Sequence, residues 1–385
     1  MAWIGVEEAA RRLGVKPATL YAYVSRGVLT RRKADDGRSV FNPLEVDRLA
    51  RTGRPRRTRG AAEVVVESAV TMLGDDRHYY RGRDAIELAA TWRLEQVAEW
   101  LWTGTEAAVT AWPARSGVAP GLFPAGVLPI ERLQLAVVAL AVADPVRLAL
   151  EPEAVAGVGR ALIAGLVDAL GPHATEGDVT RRLWDQLRGP EAEEGLADAL
   201  RVALVLLADH ELAASTLAVR VAASVRADPY AAVAAGLGVC SGALHGGASL
   251  GVEALLSEVE DAGRVAPAMG ERLRRGERIP GFGHAVYRGG DARAEALLER
   301  VRMAVPQHPK LLVVDALLAE ARRRRLPAMN VDLALGLLST VAGMPRGAGE
   351  AIFAVARTAG WLAHATEEYA KPTALRLRAA YTGPL

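Results

Sequence analysis

The chain has 385 residues, 51% of them apolar, and a net charge of +2 at pH 7, enough for a large domain with a smaller companion and a sizeable buried core. No apolar run is long and charge-free enough to span a bilayer, and the first dozen residues, with Glu7 and Glu8, read as no secretory leader. A single cysteine, Cys240, excludes an internal disulfide framework or a zinc site built on Cys pairs and fits a reducing cytoplasm.

Charge is uneven along the chain: residues 1–60 hold 14 Lys and Arg against 6 Asp and Glu, and the rest hold 33 against 39. The basic front suits nucleic acid; the body does not. Residues 6–13 are helical in period and stop at Gly14-Val15. Pro17 then stands in the first turn of a second helix, residues 17–26, ended by Gly27. Helix, tight turn, helix is the helix-turn-helix pattern. Residues 28–41, with Asp36-Gly37 in their middle, predict a hairpin wing, and Asn42-Pro43 opens a last short helix over 44–50. The Arg-rich stretch 51–61, with Pro55 and two glycines, reads as an exposed linker. A short strand-like stretch follows at 63–72. Beyond it, apolar residues recur at three and four spacing over 85–101, 133–142, 155–170, 196–207, 294–301 and 311–321. Residues 212–225, 231–239 and 352–363 are apolar on most faces, as buried helices are. Strands do not alternate with helices, so the body from residue 62 to 385 reads as all-α.

Gly236-Leu-Gly238 with Gly242 fails the dinucleotide fingerprint, and no P-loop is present. Gly242-Ala-Leu-His-Gly-Gly247 and Ile279-Pro-Gly-Phe-Gly-His284 each set a histidine among glycines between helical segments, where backbone can approach a ligand closely. A loop histidine with no task is the competing reading, weaker for two such loops than for one. His210, in Asp209-His-Glu-Leu, is on its own as readily the neighbour of a helix cap. The histidines lie far apart with no His-x-x-x-His spacing, so no metal is expected. Asp332, in Asn330-Val-Asp-Leu, heads an apolar helix as a site residue or as a cap. Arg357 sits inside an apolar segment: either its stem packs while its head reaches water, or it is a buried cation that grips a carboxylate. Arg293 and Arg376 pose the same question.

In chain order, Gly74-Asp-Asp-Arg-His-Tyr-Tyr-Arg-Gly82, Asp209-His-Glu, Asp228-Pro-Tyr, Leu244-His-Gly-Gly-Ala, Gly281-Phe-Gly-His-Ala-Val-Tyr with Asp291-Ala-Arg293, Asn330-Val-Asp332, Ala356-Arg-Thr-Ala-Gly-Trp361 and Arg376-Leu-Arg-Ala-Ala-Tyr-Thr-Gly383 resemble the motifs of the citrate synthase family. The likeness runs from about residue 62 to the end. It implies an all-α body with a large domain and a smaller one inserted over about residues 230–330, closing over the substrates, and a homodimer. It implies that Asp332 takes a proton from the methyl group of acetyl-CoA, that His245 hydrogen-bonds the enol oxygen, and that His284 polarises the oxaloacetate carbonyl. His210, Arg293 and Arg357 would bind oxaloacetate, with Arg376 reaching in from the partner subunit. Hydrolysis of the thioester would give citrate and CoA, with no resident cofactor. Leu333-Ala-Leu335 and Ala285 depart from the usual pattern and leave acetyl-CoA against propionyl-CoA, hence 2-methylcitrate, open. The first 50 residues resemble the winged helix-turn-helix of MerR-like and excisionase-like proteins. That implies DNA binding, with Lys16, Thr19, Tyr21 and Arg26 near the groove and the linker arginines on phosphate. Two other readings are a helical module that packs on the enzyme or mediates its assembly, and a DNA-binding regulator whose synthase body senses metabolites.

Overall fold

The computed structural model describes residues 3–25, 28–34, 37–43, 45, 46, 49, 66–108, 111–113, 118, 120–172, 176–191 and 193–376. The chain divides into two compact units, Met1–Val65 with Arg378–Leu385, and Val66–Leu377.

In the first unit, α1 (Val6–Leu13) ends at Gly14, whose φ of +59° favours glycine. Helix α2 (Pro17–Ser25) begins on a proline, which has no N–H to leave unpaired. Strands β1 (Ile4–Gly5), β2 (Arg31–Lys33) and β3 (Ser39–Phe41) form an antiparallel sheet with β3 in the middle. The expected helix-turn-helix and wing are therefore present. Ala9, Leu20, Leu29, Phe41 and Val46 bury together as their core. Arg26, the linker 51–61 and most of the expected helix 44–50 lie outside the described residues.

The second unit opens on a small antiparallel sheet of β4 (Thr71–Leu73), β5 (His78–Tyr80) and β6 (Arg83–Asp84). The strand expected over 63–72 is confined, among the described residues, to its last two positions plus Leu73. Helices follow: α3 (Ala85–Thr91), α4 (Leu94–Thr103), α5 (Pro129–Ala143), α6 (Pro152–Asp168), α7 (Val179–Arg188), α8 (Glu194–Leu207), α9 (Ala214–Ser224), α10 (Pro229–Cys240), α11 (Ala248–Glu258), α12 (Val265–Arg274), α13 (Ala292–Ala304), α14 (Pro309–Arg323), α15 (Val331–Val341) and α16 (Ala348–Tyr369). The periodic stretch 85–101 is two helices, not one. Trp92 turns extended, with ψ 162°, and the Gln96 side chain accepts from the Arg93 N–H at 3.0 Å to start α4 afresh.

Helix α16 is the axis of the unit. It is buried on every face from Ala348 to Ala365, because α4, α5, α6, α8, α9, α10, α11 and α15 all pack against it. Small residues make this approach feasible: a Cβ on Gly236 of α10 would lie 2.9 Å from the Trp361 ring. A polar head on such a helix, like that of Arg357, is carried into the middle of the protein. No described helix is long and apolar enough to cross a membrane.

Candidate active site

His284 sits in the segment between α12 and α13, and that segment is tied to the start of α15. Phe282 bridges Met329, Gly283 N–H donates to Ala328 O at 2.8 Å, and Asn330 N–H donates to Gly281 O at 2.9 Å. The Asn330 amide also donates to Gly283 O at 2.8 Å. Gly281 (φ +82°) and Gly283 (φ +88°) take up the turn, and a Cβ on Gly281 would lie 2.8 Å from Leu333 Cβ. Asn330 is the cap of α15, its side chain accepting from Asp332 N–H at 3.1 Å. Asp332 is therefore not needed as the cap. Its carboxylate makes no hydrogen bond among the described residues, and burial pushes it up to about 7, with Arg293 pulling the other way.

Hydrogen bonding assigns the His284 tautomer. Its Nδ1 accepts from the Val286 and Tyr287 N–H groups, both at 3.1 Å, so the proton of the neutral ring sits on Nε2. Arg293 Nη2 lies 3.4 Å from that Nε2. Two N–H groups thus face one place, and an oxygen acceptor there would satisfy both. Burial and the Arg293 charge push His284 down to about 4, so it is neutral at pH 7. Arg293 is itself locked by Asp291, Nε to Oδ1 and Nη2 to Oδ2, each at 2.9 Å.

His245 lies between α10 and α11. A Cβ on Gly246 would sit 2.6 Å from Cys240 Sγ and 2.7 Å from Cys240 O, so the turn closes only on glycine. His245 Nε2 accepts from Ser215, whose hydroxyl is at 2.8 Å and whose N–H is at 3.4 Å. That leaves the proton on Nδ1, which has no partner among the described residues. Burial, then the Arg357 charge, holds His245 down at about 4. The Phe353 ring lies edge-on to His245 at 5.7 Å and carries the Arg357 guanidinium at 4.5 Å.

Arg357 is 1% exposed. It donates Nε–H to Leu207 O at 2.8 Å and has no carboxylate partner among the described residues. The sequence alternatives resolve here: its head does not reach water. Asp209, buried and held at about 2, is the anion whose charge acts on it, but no carboxylate among the described residues touches the guanidinium, and an anionic ligand would supply that contact. Its charge is felt at His210, His245 and Asp332, which makes these residues one electrostatic site.

His210, in the turn between α8 and α9, bonds Tyr287 OH through Nε2 at 2.9 Å, and its ring lies edge-on to His284 at 5.4 Å. Tyr287, Phe353, Ser215 and Asp291 are members that sequence reasoning missed. So is His78 on β5, whose ring is 5.6 Å from His210; it lies inside the family-like motif 74–82, and the strand period puts His78 and Tyr80 on one face. Arg376 is exposed, in the last described segment, and no contact among the described residues joins it to the others. Among the described residues, no group of three or more His, Cys, Asp or Glu is placed to hold a metal ion. In the first unit Lys16 and Tyr21 are exposed and Thr19 is half-buried.

Comparison with known proteins identifies the family and the fold. Residues 60–378 match the family model described as Citrate synthase, C-terminal domain, and residues 5–60 match that of the MerR HTH family regulatory proteins. Citrate synthase 2 of Bacillus subtilis (strain 168) is 36% identical over 205 residues, 51% of this chain and 54% of that protein. The chain thus spans about half the length of that curated relative. A 2-methylcitrate synthase of Mycobacterium tuberculosis (strain H37Rv) is 28% identical over 364 residues, 86% of this chain and 91% of that one. The crystal structure of citrate synthase from Thermotoga maritima superposes with a TM-score of 0.71 at 27% identity, covering 84% of this chain and 95% of that chain. With one family model spanning most of its length and the fold in common, the chain belongs to the citrate synthase family.

Proposed function

We infer that the protein condenses an acyl-CoA with oxaloacetate and hydrolyses the resulting thioester, giving citrate from acetyl-CoA. The observation that carries this is the convergence of His284 Nε2–H and Arg293 Nη2 at 3.4 Å, with the buried Arg357 touching no carboxylate among the described residues. That arrangement suits a small dianion with an adjacent carbonyl: arginines for the carboxylates, an imidazole N–H for the carbonyl oxygen. The acyl-CoA methyl group is a weak carbon acid. Asp332, raised to about 7 by burial, is matched to take its proton near neutral pH. The free Nδ1–H of His245 is the donor for the enolate oxygen that forms. His284 then passes its Nε2 proton to the alkoxide created at the oxaloacetate carbonyl, and water cleaves the thioester. Acyl-CoA is a substrate, so no resident cofactor is required. Mixing protein with acetyl-CoA and oxaloacetate should release free CoA thiol, and Asp332→Asn should not. No release with acetyl-CoA or propionyl-CoA would sink the reading. Propionyl-CoA, giving 2-methylcitrate, is the second substrate to try, favoured by the long overlap with the mycobacterial 2-methylcitrate synthase; kcat/KM for the two thioesters decides, one methylene being worth about 1–3 kcal/mol of discrimination.

Assembly as a homodimer is part of the same proposal. Helix α5 exposes Leu135, Val138 and Val142, and α9 with its cap exposes Leu217, Val221 and Val225. Both helices pack on α10, and their outward rows are apolar where solvent-facing helices are polar. The first unit is proposed to bind duplex DNA. All three residues of β2, Arg31, Arg32 and Lys33, are exposed, and the Arg31 guanidinium lies over the Tyr21 ring at 5.7 Å. Retardation of duplex DNA that weakens with salt and is lost on Lys16→Glu with Lys33→Glu is the expected result. Retardation unchanged on deleting residues 1–60 would assign it elsewhere.

A further inference from the structure

His78 is buried with 0% exposure, and neither of its ring nitrogens has a hydrogen-bond partner among the described residues. Buried polar groups are almost always satisfied, so an orphaned imidazole demands a reason. Packing alone gives none, because a leucine would fill the strand position and leave nothing orphaned. Tyr80, on the same face of β5 and equally buried, bonds Val205 O at 2.9 Å. The place of His78 is the distinguishing fact. Its ring lies edge-on to Tyr80 at 4.8 Å and to His210 at 5.6 Å, and His210 lies edge-on to His284 at 5.4 Å. The three histidines form a file that runs from the small sheet into the site. Burial, with the charges of Arg293 and Arg357, holds His78 well below its usual pKa, so it contributes a planar dipole and no charge. Such a dipole orients in the combined field of those guanidinium groups and the buried Asp209 carboxylate, which an aliphatic side chain cannot do.

We propose that His78 is a positioning residue: buried edge-on against His210, it fixes the plane of that imidazole and so the direction in which His210 meets the oxo-acid substrate. This rests on the assignment of the site to oxaloacetate. The stability lost to an unsatisfied group at this place is then a functional cost, of the kind found at active sites.

The test uses the full chain with His78→Leu and His78→Asn, reading the melting temperature, kcat, and KM for oxaloacetate and for acetyl-CoA. His78→Leu should melt no lower than wild type, because two orphaned nitrogens are gone. Its KM for oxaloacetate should rise about tenfold, while KM for acetyl-CoA stays within about twofold. His78→Asn, polar and planar, should recover part of the loss. An unchanged KM for oxaloacetate in His78→Leu overturns the proposal. So does a parallel loss of folding and of every kinetic parameter in both variants, which is what a purely structural residue would give. Wild-type protein that neither releases CoA nor is stabilised by oxaloacetate overturns the assignment of the site, and the inference with it, before any variant is made.

Discussion

Asp291 and Arg293, two residues apart, form a closed fork: Arg293 Nε and Nη2 reach Asp291 Oδ1 and Oδ2, each at 2.9 Å, and both side chains are almost fully buried. Asp291 Oδ2 also accepts from Val331 N–H at 3.1 Å. One carboxylate thus aims the guanidinium at His284 and anchors the start of α15, which carries Asp332. Removing it leaves a buried cation unpaired, at a cost of about 3–5 kcal/mol. Asp291→Ala should lose about that much in urea unfolding and most of its kcat. A variant that keeps stability but loses activity would mean that the fork aims the site without supporting the fold.

The pH profile follows from three groups. Asp332 must be ionised to accept a proton, and its carboxyl is pushed up to about 7. His245 and His284 must be neutral, and both are pushed down to about 4. The log of kcat/KM should therefore rise with unit slope as pH approaches about 7 from below and then level, with no histidine limb between 5 and 9. Stability has the opposite sign. Between the ordinary carboxyl value of 3.8 and about 7, the folded state holds a proton that the unfolded state has released. The contribution of Asp332 to stability therefore falls as pH rises through that window. His245 and His284, held at about 4 against an ordinary 6.5, contribute the opposite slope, so the Asp332 contribution is read from the difference between wild type and Asp332→Asn. Asp332→Asn should melt higher than wild type above pH 7 while losing about 10²–10⁴-fold in kcat. A variant that melts lower at pH 8 would contradict the assigned burial.

What could be read in the sequence was whatever chemistry is local. Glycines around His245 and His284 announce turns that approach a ligand, and the Asn-Val-Asp triplet at 330–332 announces a helix start. The function of Arg357 needed the fold, because one arginine in an apolar run reads equally as a snorkelling side chain; only the eight helices around α16 decide that it is buried. Tyr287, Phe353 and His78 join the site through ring contacts across tens to hundreds of residues, such as His78 to His210, and no spacing rule encodes those. The break at Trp92-Arg93 was illegible for a related reason. The apolar period of 85–101 runs through it, and a single side-chain cap from Gln96 restarts the helix.

Behind His210 runs a second buried network. Asp209 Oδ2 is 3.3 Å from His364 Nε2, His364 Nδ1 is 2.6 Å from Arg220 Nη1, and Arg220 Nε donates to Glu368 at 2.7 Å. Arg220, His364 and Glu368 are at most 1% exposed. Glu368→Gln removes the fully buried counter-charge of Arg220 and should destabilise by about 3 kcal/mol. Glu367 still reaches Arg220 at 2.7 Å, so the double variant Glu367→Gln/Glu368→Gln should lose distinctly more than the two single losses combined. Denaturant midpoints at constant slope measure both.

Arg376 provides a test of assembly that stability measurements cannot. It is exposed, with no contact to the other site residues among the described residues, yet the family resemblance implies that it reaches the site. If it acts from the partner subunit, Arg376→Met and Asp332→Asn should each be inactive alone but complement when unfolded together and refolded. A mixed dimer then has one site with Asp332 from one chain and Arg376 from the other, both intact, and one site with neither. Random pairing makes half the dimers mixed, each with half its sites working, so activity should return to about one quarter of wild type. If Arg376 acts within its own chain, every site in the mixed dimer lacks one residue and no activity returns. Adding Val138→Glu and Val221→Glu to both chains places charges on the exposed apolar rows of α5 and α9. Dimers held by those rows should dissociate, which sedimentation would read as a halved mass, and complementation should vanish with them. Complementation that survives the four charges would put the interface on another face of the unit.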